Sequence, residues 1–201
     1  MSTATYQPKP EEIKALRQET EAPMMDCRKA LVDAAGDMTK AKALLLDRGA
    51  AQAAKKAERV ANEGTVASYI HSGGKIGVLV EVNSETDFVA RNPKFGELTR
   101  DIAMHIAAMS PQYLDRESVP ADVADRVRAE FAANVPAGKP PAVAQKIVDG
   151  KLNKWYEEHC LLDQPFVKDD SMSVRDLINS VIGVLGEKIK IRRFTKYVLG
   201  E

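Results

Sequence analysis

Ile76-Gly77-Val78-Leu79-Val80-Glu81-Val82, continuing into Asn83-Ser84-Glu85-Thr86-Asp87-Phe88-Val89-Ala90-Arg91-Asn92, decides how this chain folds. The first seven residues form a short apolar run, which reads as a buried strand. Pro93 closes the polar stretch behind that run, because proline opens helices and does not sit inside them. Asn83 to Asn92 is therefore a connection at the end of a sheet. Its one large apolar side chain is Phe88, next to Asp87. Two readings stand. The ring folds back onto the core while Asp87 caps a turn or helix. Alternatively, the ring enters a partner's apolar pocket, where the carboxylate competes for a donor or a metal-bound water.

Immediately upstream, Thr65 to His71 alternates apolar and polar residues, and Ser72-Gly73-Gly74-Lys75 supplies the glycines of a tight hairpin turn. Near the C-terminus, Lys188 to Leu199 alternates at first and reads as a half-buried strand with a basic outer face. Pairing it with the hairpin gives at least three antiparallel strands. Helices are expected over Phe95–Met109, 118–134, 142–160 and from Ser173 to Gly186, with Ser173 and Asp176 spaced as a capping box. Leu161 to Asp170 reads as extended or looped. The fold class is α+β, with helices covering the sheet.

In front of this core, residues 1–7 read as a loose lead-in. A helix starts at Pro10, and a second runs from Met24 towards Gly36. A third is capped by Asp37 and expected to stop at Gly49. The expected organisation is a three-helix domain over 1–50, a linker helix over the Ala-rich 51–64, and a core and dimerisation domain over 65–201.

Composition narrows the function. The 201 residues carry 29 basic and 29 acidic side chains, so charge gives no drive towards nucleic acid or anionic membrane. No stretch approaches the ~20 apolar residues that span a bilayer, and Met1 to Pro10 has no signal-peptide core. Cys27 and Cys160 form no CxxC, which suits reduced thiols and a cytoplasmic location. No phosphate-binding glycine loop is present, so nucleotide binding by the chain itself is not expected, and no cofactor is called for. His71, His105 and His159 lack ligand spacing, and His105, near an apolar stripe, reads as a partly buried helix residue rather than a ligand. His159-Cys160 as base and nucleophile is the weakest reading. The basic row Lys188, Lys190, Arg192 and Lys196 reads as a solubilising sheet edge, with RNA contact as its rival. A binding protein fits better than an enzyme, and an adaptor with a helical binding module is one form of it.

Several motifs together resemble one family. Leu16-Arg17 with Met24-Met25-Asp26-Cys27-Arg28-Lys29-Ala30-Leu31, then Gly36-Asp37, Ala53-Ala54-Lys55-Lys56 and Thr86-Asp87-Phe88-Val89-Ala90-Arg91-Asn92, are similar to translation elongation factor Ts. Gln164-Pro165-Phe166-Val167 and the closing Ile191 to Glu201 extend the resemblance. The resemblance implies a guanine nucleotide exchange factor, not an enzyme, acting on elongation factor Tu in its GDP-bound form. It implies a ubiquitin-associated-like N-terminal domain that contacts the partner through Leu16, Met24, Met25 and Asp26. It further implies that Thr86, Asp87, Phe88 and Val89 form the loop that intrudes near the partner's magnesium and phosphate site, which favours the second reading of Phe88. The chain resembles the short, single-core form, for which a homodimer is implied. Thr20-Glu21-Ala22-Pro23 departs from the glycine-bearing turn expected before Met24.

Overall fold

A computed structural model describes residues 6–201; of the lead-in expected over residues 1–7, residues 1–5 lie outside them. The chain is α+β, as expected. Strands β1 (Glu63–Ile70), β2 (Ile76–Ser84) and β5 (Lys190–Val198) form one antiparallel sheet in the order β1-β2-β5. The Ile76–Val82 run was expected to be a buried strand; only one face of β2 is, with Val78, Val80 and Val82 buried and Leu79 exposed, because successive side chains of a strand point to opposite faces. Gly73 and Gly74 both take positive φ, which is why the turn from His71 to Ile76 is built from glycine. Two short strands, β3 (Pro165–Phe166) and β4 (Asp169–Ser173), pair as a separate antiparallel hairpin.

The chain divides into two compact units, each drawn from three segments. The first contains α1 (Pro10–Thr20), α2 (Met24–Asp33) and α3 (Met38–Lys55), together with residues 81–100 and 176–192. Leu16, Cys27, Ala30, Leu31 and Ala41 form a small core among these helices, bordered by Ile13, Leu44 and Leu45. Each helix end has a local cause. The Glu12 carboxylate accepts from the Lys9 N–H at 2.7 Å and from the Tyr6 hydroxyl at 2.7 Å, closing the start of α1. The Lys9 N–H and the Tyr6 hydroxyl hold that carboxyl below its ordinary range. Asp37 accepts the Lys40 N–H at 3.0 Å and caps α3, as its position predicted.

The end of α2 satisfies its carbonyls in a Schellman arrangement: Gly36 N–H donates to Leu31 and Ala35 N–H to Val32. Ala35 holds φ 51°, a left-handed conformation that strains a Cβ-bearing residue by about 1–2 kcal/mol. Against the extra freedom glycine has in the unfolded chain, Ala35→Gly is expected to stabilise by about 0.5–1 kcal/mol. A higher urea midpoint for the full chain checks this. Glu21 also sits left-handed, at φ 54°, in the turn where a glycine was expected; its carboxylate pairs with Lys94.

Gly49 was expected to stop α3. Instead the helix runs on to Lys55, and Gly49 is buried in its interior. The reason is packing against α8 (Val174–Leu185): a Cβ on Gly49 would lie 2.7 Å from the Asn179 carbonyl oxygen. The glycine permits a close helix approach rather than a turn. The segment expected to be a linker helix is helical only as far as Lys55 and passes through turns before β1.

The second unit holds residues 68–80, 101–175 and 193–201. It includes α6 (Ala121–Ala133), α7 (Pro141–His159) and the later half of α5 (Pro93–Met109). Here His105, expected to be partly buried near the apolar stripe of α5, is fully buried. Its Nδ1 accepts the Val167 N–H at 3.2 Å, so Nε2 carries the proton and donates to Gln164 Oε1 at 2.9 Å. Gln164 in turn donates to the Glu158 carbonyl. Burial lowers the His105 pKa below its ordinary 6.5, with the Gln164 contact opposing that shift more weakly. Protonation would also put a second proton where Val167 already donates. Above about pH 6.5 both folded and unfolded chains hold His105 neutral; below it the unfolded chain binds the proton first, and stability falls until the lower folded pKa is reached. The melting temperature of wild type is therefore expected to fall between pH 7 and pH 5 more steeply than that of His105→Gln.

The basic row on and before β5 has partners within the protein. Arg192 pairs with Glu81 at 3.0 Å, Lys196 donates to the Ala107 carbonyl at 2.9 Å, and Lys188 to the Arg59 carbonyl at 2.9 Å. These contacts, rather than solvation of an open edge, account for three of its four cations.

Candidate functional site

The connection after β2 is a one-turn helix, α4 (Asp87–Ala90), on a tightly bonded base. Ser84 is fully buried, and its hydroxyl donates to the Thr86 carbonyl at 2.9 Å. Thr86 is the N-cap of α4, in extended conformation. Both its donors go to one carboxylate: the N–H to Glu187 Oε2 at 3.0 Å and the hydroxyl to Glu187 Oε1 at 2.7 Å. Glu85 reciprocates, accepting the Lys188 N–H at 2.6 Å and the Arg59 guanidinium at 3.3 Å. The Lys188 N–H, then Arg59, hold the Glu85 carboxyl below its ordinary range. Downstream, Asn92 accepts the Lys94 N–H at 2.9 Å and Pro93 takes the first position of α5, the helix start its sequence called for.

On this base Val89 turns inward and is buried, while Phe88 turns outward and is 83% exposed. The two readings left open by the sequence are thereby separated: Phe88 does not fold back onto the core. Asp87 is half-exposed beside it and pairs with Arg91 one turn on, at 3.0 Å. Such an exposed pair contributes at most about 1 kcal/mol, so the carboxylate can leave Arg91 for another donor at little cost.

The N-terminal candidates separate in the same way. Met24 is 54% and Met25 67% exposed at the start of α2, with Asp26 half-buried next to them. Arg48 donates to the Asp26 carbonyl at 3.0 Å and pairs with Asp33, the last residue of α2, at 2.7 Å, tying α2 to α3. Leu16 has no exposed surface; it lies in the helical core and supports α2 from below. The Glu21–Lys94 pair joins the turn before Met24 to the segment just after Asn92, so the two exposed sets lie on segments that are bonded to each other.

His159 and Cys160 are not arranged as base and nucleophile. The Cys160 thiol is fully buried and pushed up to about 11 by burial, while His159 stacks on Trp155 at 4.3 Å and contacts the Trp155 carbonyl at 2.8 Å. Cys27 and Cys160 are both free and buried. Among the described residues, no three His, Cys, Asp or Glu side chains gather to hold a metal. Among those residues no helix is long and apolar enough to cross a membrane.

Comparison with known proteins decides the family. A model of the family described as "Elongation factor TS" matches residues 49–201. The chain belongs to the elongation factor Ts family. Curated elongation factor Ts sequences agree along nearly its whole length. That of Anaeromyxobacter sp. (strain Fw109-5) is 54% identical over 190 residues, covering 94% of this chain and 87% of the relative. Those of Koribacter versatilis and Moorella thermoacetica are each 52% identical over 191 residues, covering 94% of this chain and 87% and 94% of the relatives. The family model begins inside α3, whereas these alignments extend back into the N-terminal helices. As an elongation factor Ts family member the chain is a translation elongation factor, which agrees with the resemblance carried by the Thr86–Asn92 motif.

Glu187, Lys188 and Arg59 are the residues of the site that sequence reasoning missed. Glu187 lies 101 residues from Thr86. Its only local mark is Gly186 before it, which announces the end of α8 and says nothing about a distant donor.

Proposed function

We propose that the chain promotes release of GDP from elongation factor Tu, by placing the Asp87–Phe88 turn near the partner's magnesium and phosphate site. The observation that carries this reading is the exposure of Phe88 on a base held by four hydrogen bonds from buried or half-buried groups. A large aromatic left in water contributes nothing to the fold, whereas its burial in a partner contributes about 1.5–3 kcal/mol. Phe88 occupies space that the GDP-bound conformation needs, and Asp87 competes for donors while its charge repels phosphate. Neither forms a bond; the protein takes affinity from GDP by binding the conformation that GDP disfavours, and linkage makes the effect reciprocal. The ubiquitin-associated-like three-helix module docks through Met24, Met25 and Asp26 and brings the turn to its target. The protein works in the cytoplasm as a homodimer.

Stopped-flow release of a fluorescent GDP analogue from elongation factor Tu tests the function. Acceleration by the wild-type chain supports it. No acceleration refutes it and leaves a non-enzymatic adaptor as the working account. Light scattering at twice the chain mass checks the dimer.

A further inference from the structure

We propose that Glu187 is a positioning residue for exchange: it sets the direction of Phe88 through Thr86. This rests on the function proposed above. The geometry is a crossed pair of carboxylates. Glu187, after α8, takes both donors of Thr86; Glu85, after β2, takes the backbone N–H of Lys188. The Lys188 ammonium then reaches the carbonyls of Ala57 and Arg59, and Arg59 returns to Glu85. Three segments distant in sequence are tied at one point, two residues before Phe88.

The tie matters because α4 is too short to orient itself. It has four residues, and the bonds that close it are few: Val89 N–H to the Thr86 hydroxyl at 3.4 Å and Ala90 N–H to the Thr86 carbonyl at 3.3 Å at its start, and Arg91 N–H to the Asp87 carbonyl at 3.0 Å and Asn92 N–H to the Val89 carbonyl at 2.9 Å at its end. Both bonds at the start end on Thr86. Whatever fixes Thr86 therefore fixes the turn, and Glu187 is its side-chain partner on both donors. Thr86 is half-buried, so water can satisfy it when Glu187 is truncated. The fold keeps its stability while the turn loses its single orientation. The loss appears in the rate, because a misdirected ring must first be reoriented in the encounter complex, and not in the initial docking of the N-terminal module.

The experiment measures release of the fluorescent GDP analogue against concentration of the full chain, separating maximal rate from half-saturation. Glu187→Ala is expected to lower the maximal rate by about fivefold to tenfold with half-saturation changed less than about twofold. In a Phe88→Ala background the same change should have less than about a twofold effect, since residues acting as one unit are not additive. Thr86→Ser should retain the wild-type rate and Thr86→Val should lose it, which carries the test if Glu187→Ala unfolds. An unchanged maximal rate, or full additivity with Phe88→Ala, overturns the positioning role and leaves the exchange function standing. A wild-type chain that does not accelerate release overturns both.

Discussion

Phe88→Ala is expected to slow GDP release from elongation factor Tu by about one to two orders of magnitude while leaving the melting temperature unchanged. The magnitude follows from burial: about 1.5–3 kcal/mol for a phenylalanine moved from water into an apolar pocket, at about 1.4 kcal/mol per decade. The invariance of stability follows from position. The ring is 83% exposed and the inward anchor of the turn is its neighbour Val89, so truncation removes no core contact. Phe88→Leu should retain part of the rate, because it keeps an apolar side chain of intermediate size. Asp87→Ala should cost less than Phe88→Ala, since the ion pair it breaks with Arg91 is an exposed one. Stopped-flow kinetics with circular dichroism melting on the same samples checks all three. A Phe88→Ala chain that melts early would make the ring structural, and one that exchanges normally would remove it from the mechanism.

Gly49→Ala is expected to destabilise by about 2–3 kcal/mol, although alanine is the better helix former by about 1 kcal/mol. The sign is decided by what the new methyl meets. At 2.7 Å from the Asn179 carbonyl oxygen it strikes backbone, which cannot rotate away as a side-chain tip can. Either α3 and α8 separate, opening the contact between them, or both helices bend. Gly183→Ala is the internal control: its Cβ would lie 3.5 Å from Gly49 Cα, an ordinary contact, so it should be neutral or slightly stabilising. Urea unfolding of the two full-length variants, followed by circular dichroism, distinguishes them. Equal midpoints would show that the crossing yields more easily than its geometry implies.

Much of the fold was legible because short-range physics writes it into neighbouring residues. The apolar run of β2, the glycine pair after Ser72, Asp37 as an N-cap and Pro93 as a helix start each follow from backbone sterics and local patterning within a few positions. The motif Thr86 to Asn92 pointed to the family for the same reason: it is contiguous. Where the sequence reading departed from the structure, the deciding contact was distant. Gly49 carries the local mark of a helix end, and only the approach of α8 makes it a mid-helix crossing. Lys188, Arg192 and Lys196 read as a solvated row until Arg59, Glu81 and Ala107 are brought beside them.

The sequence by itself determined an α+β chain of the elongation factor Ts family, with the three strands of its main sheet, most helix starts and a single aromatic in the connection after β2; the β3–β4 hairpin reads from sequence only as an extended or looped stretch. The tertiary structure alone decided that this aromatic faces solvent, that Leu16 and Val89 face inward, and that Glu187 holds Thr86. The physical reason is that side-chain direction in a connection depends on which surfaces close around it, and residues 101 positions apart leave no periodic or steric trace of their meeting.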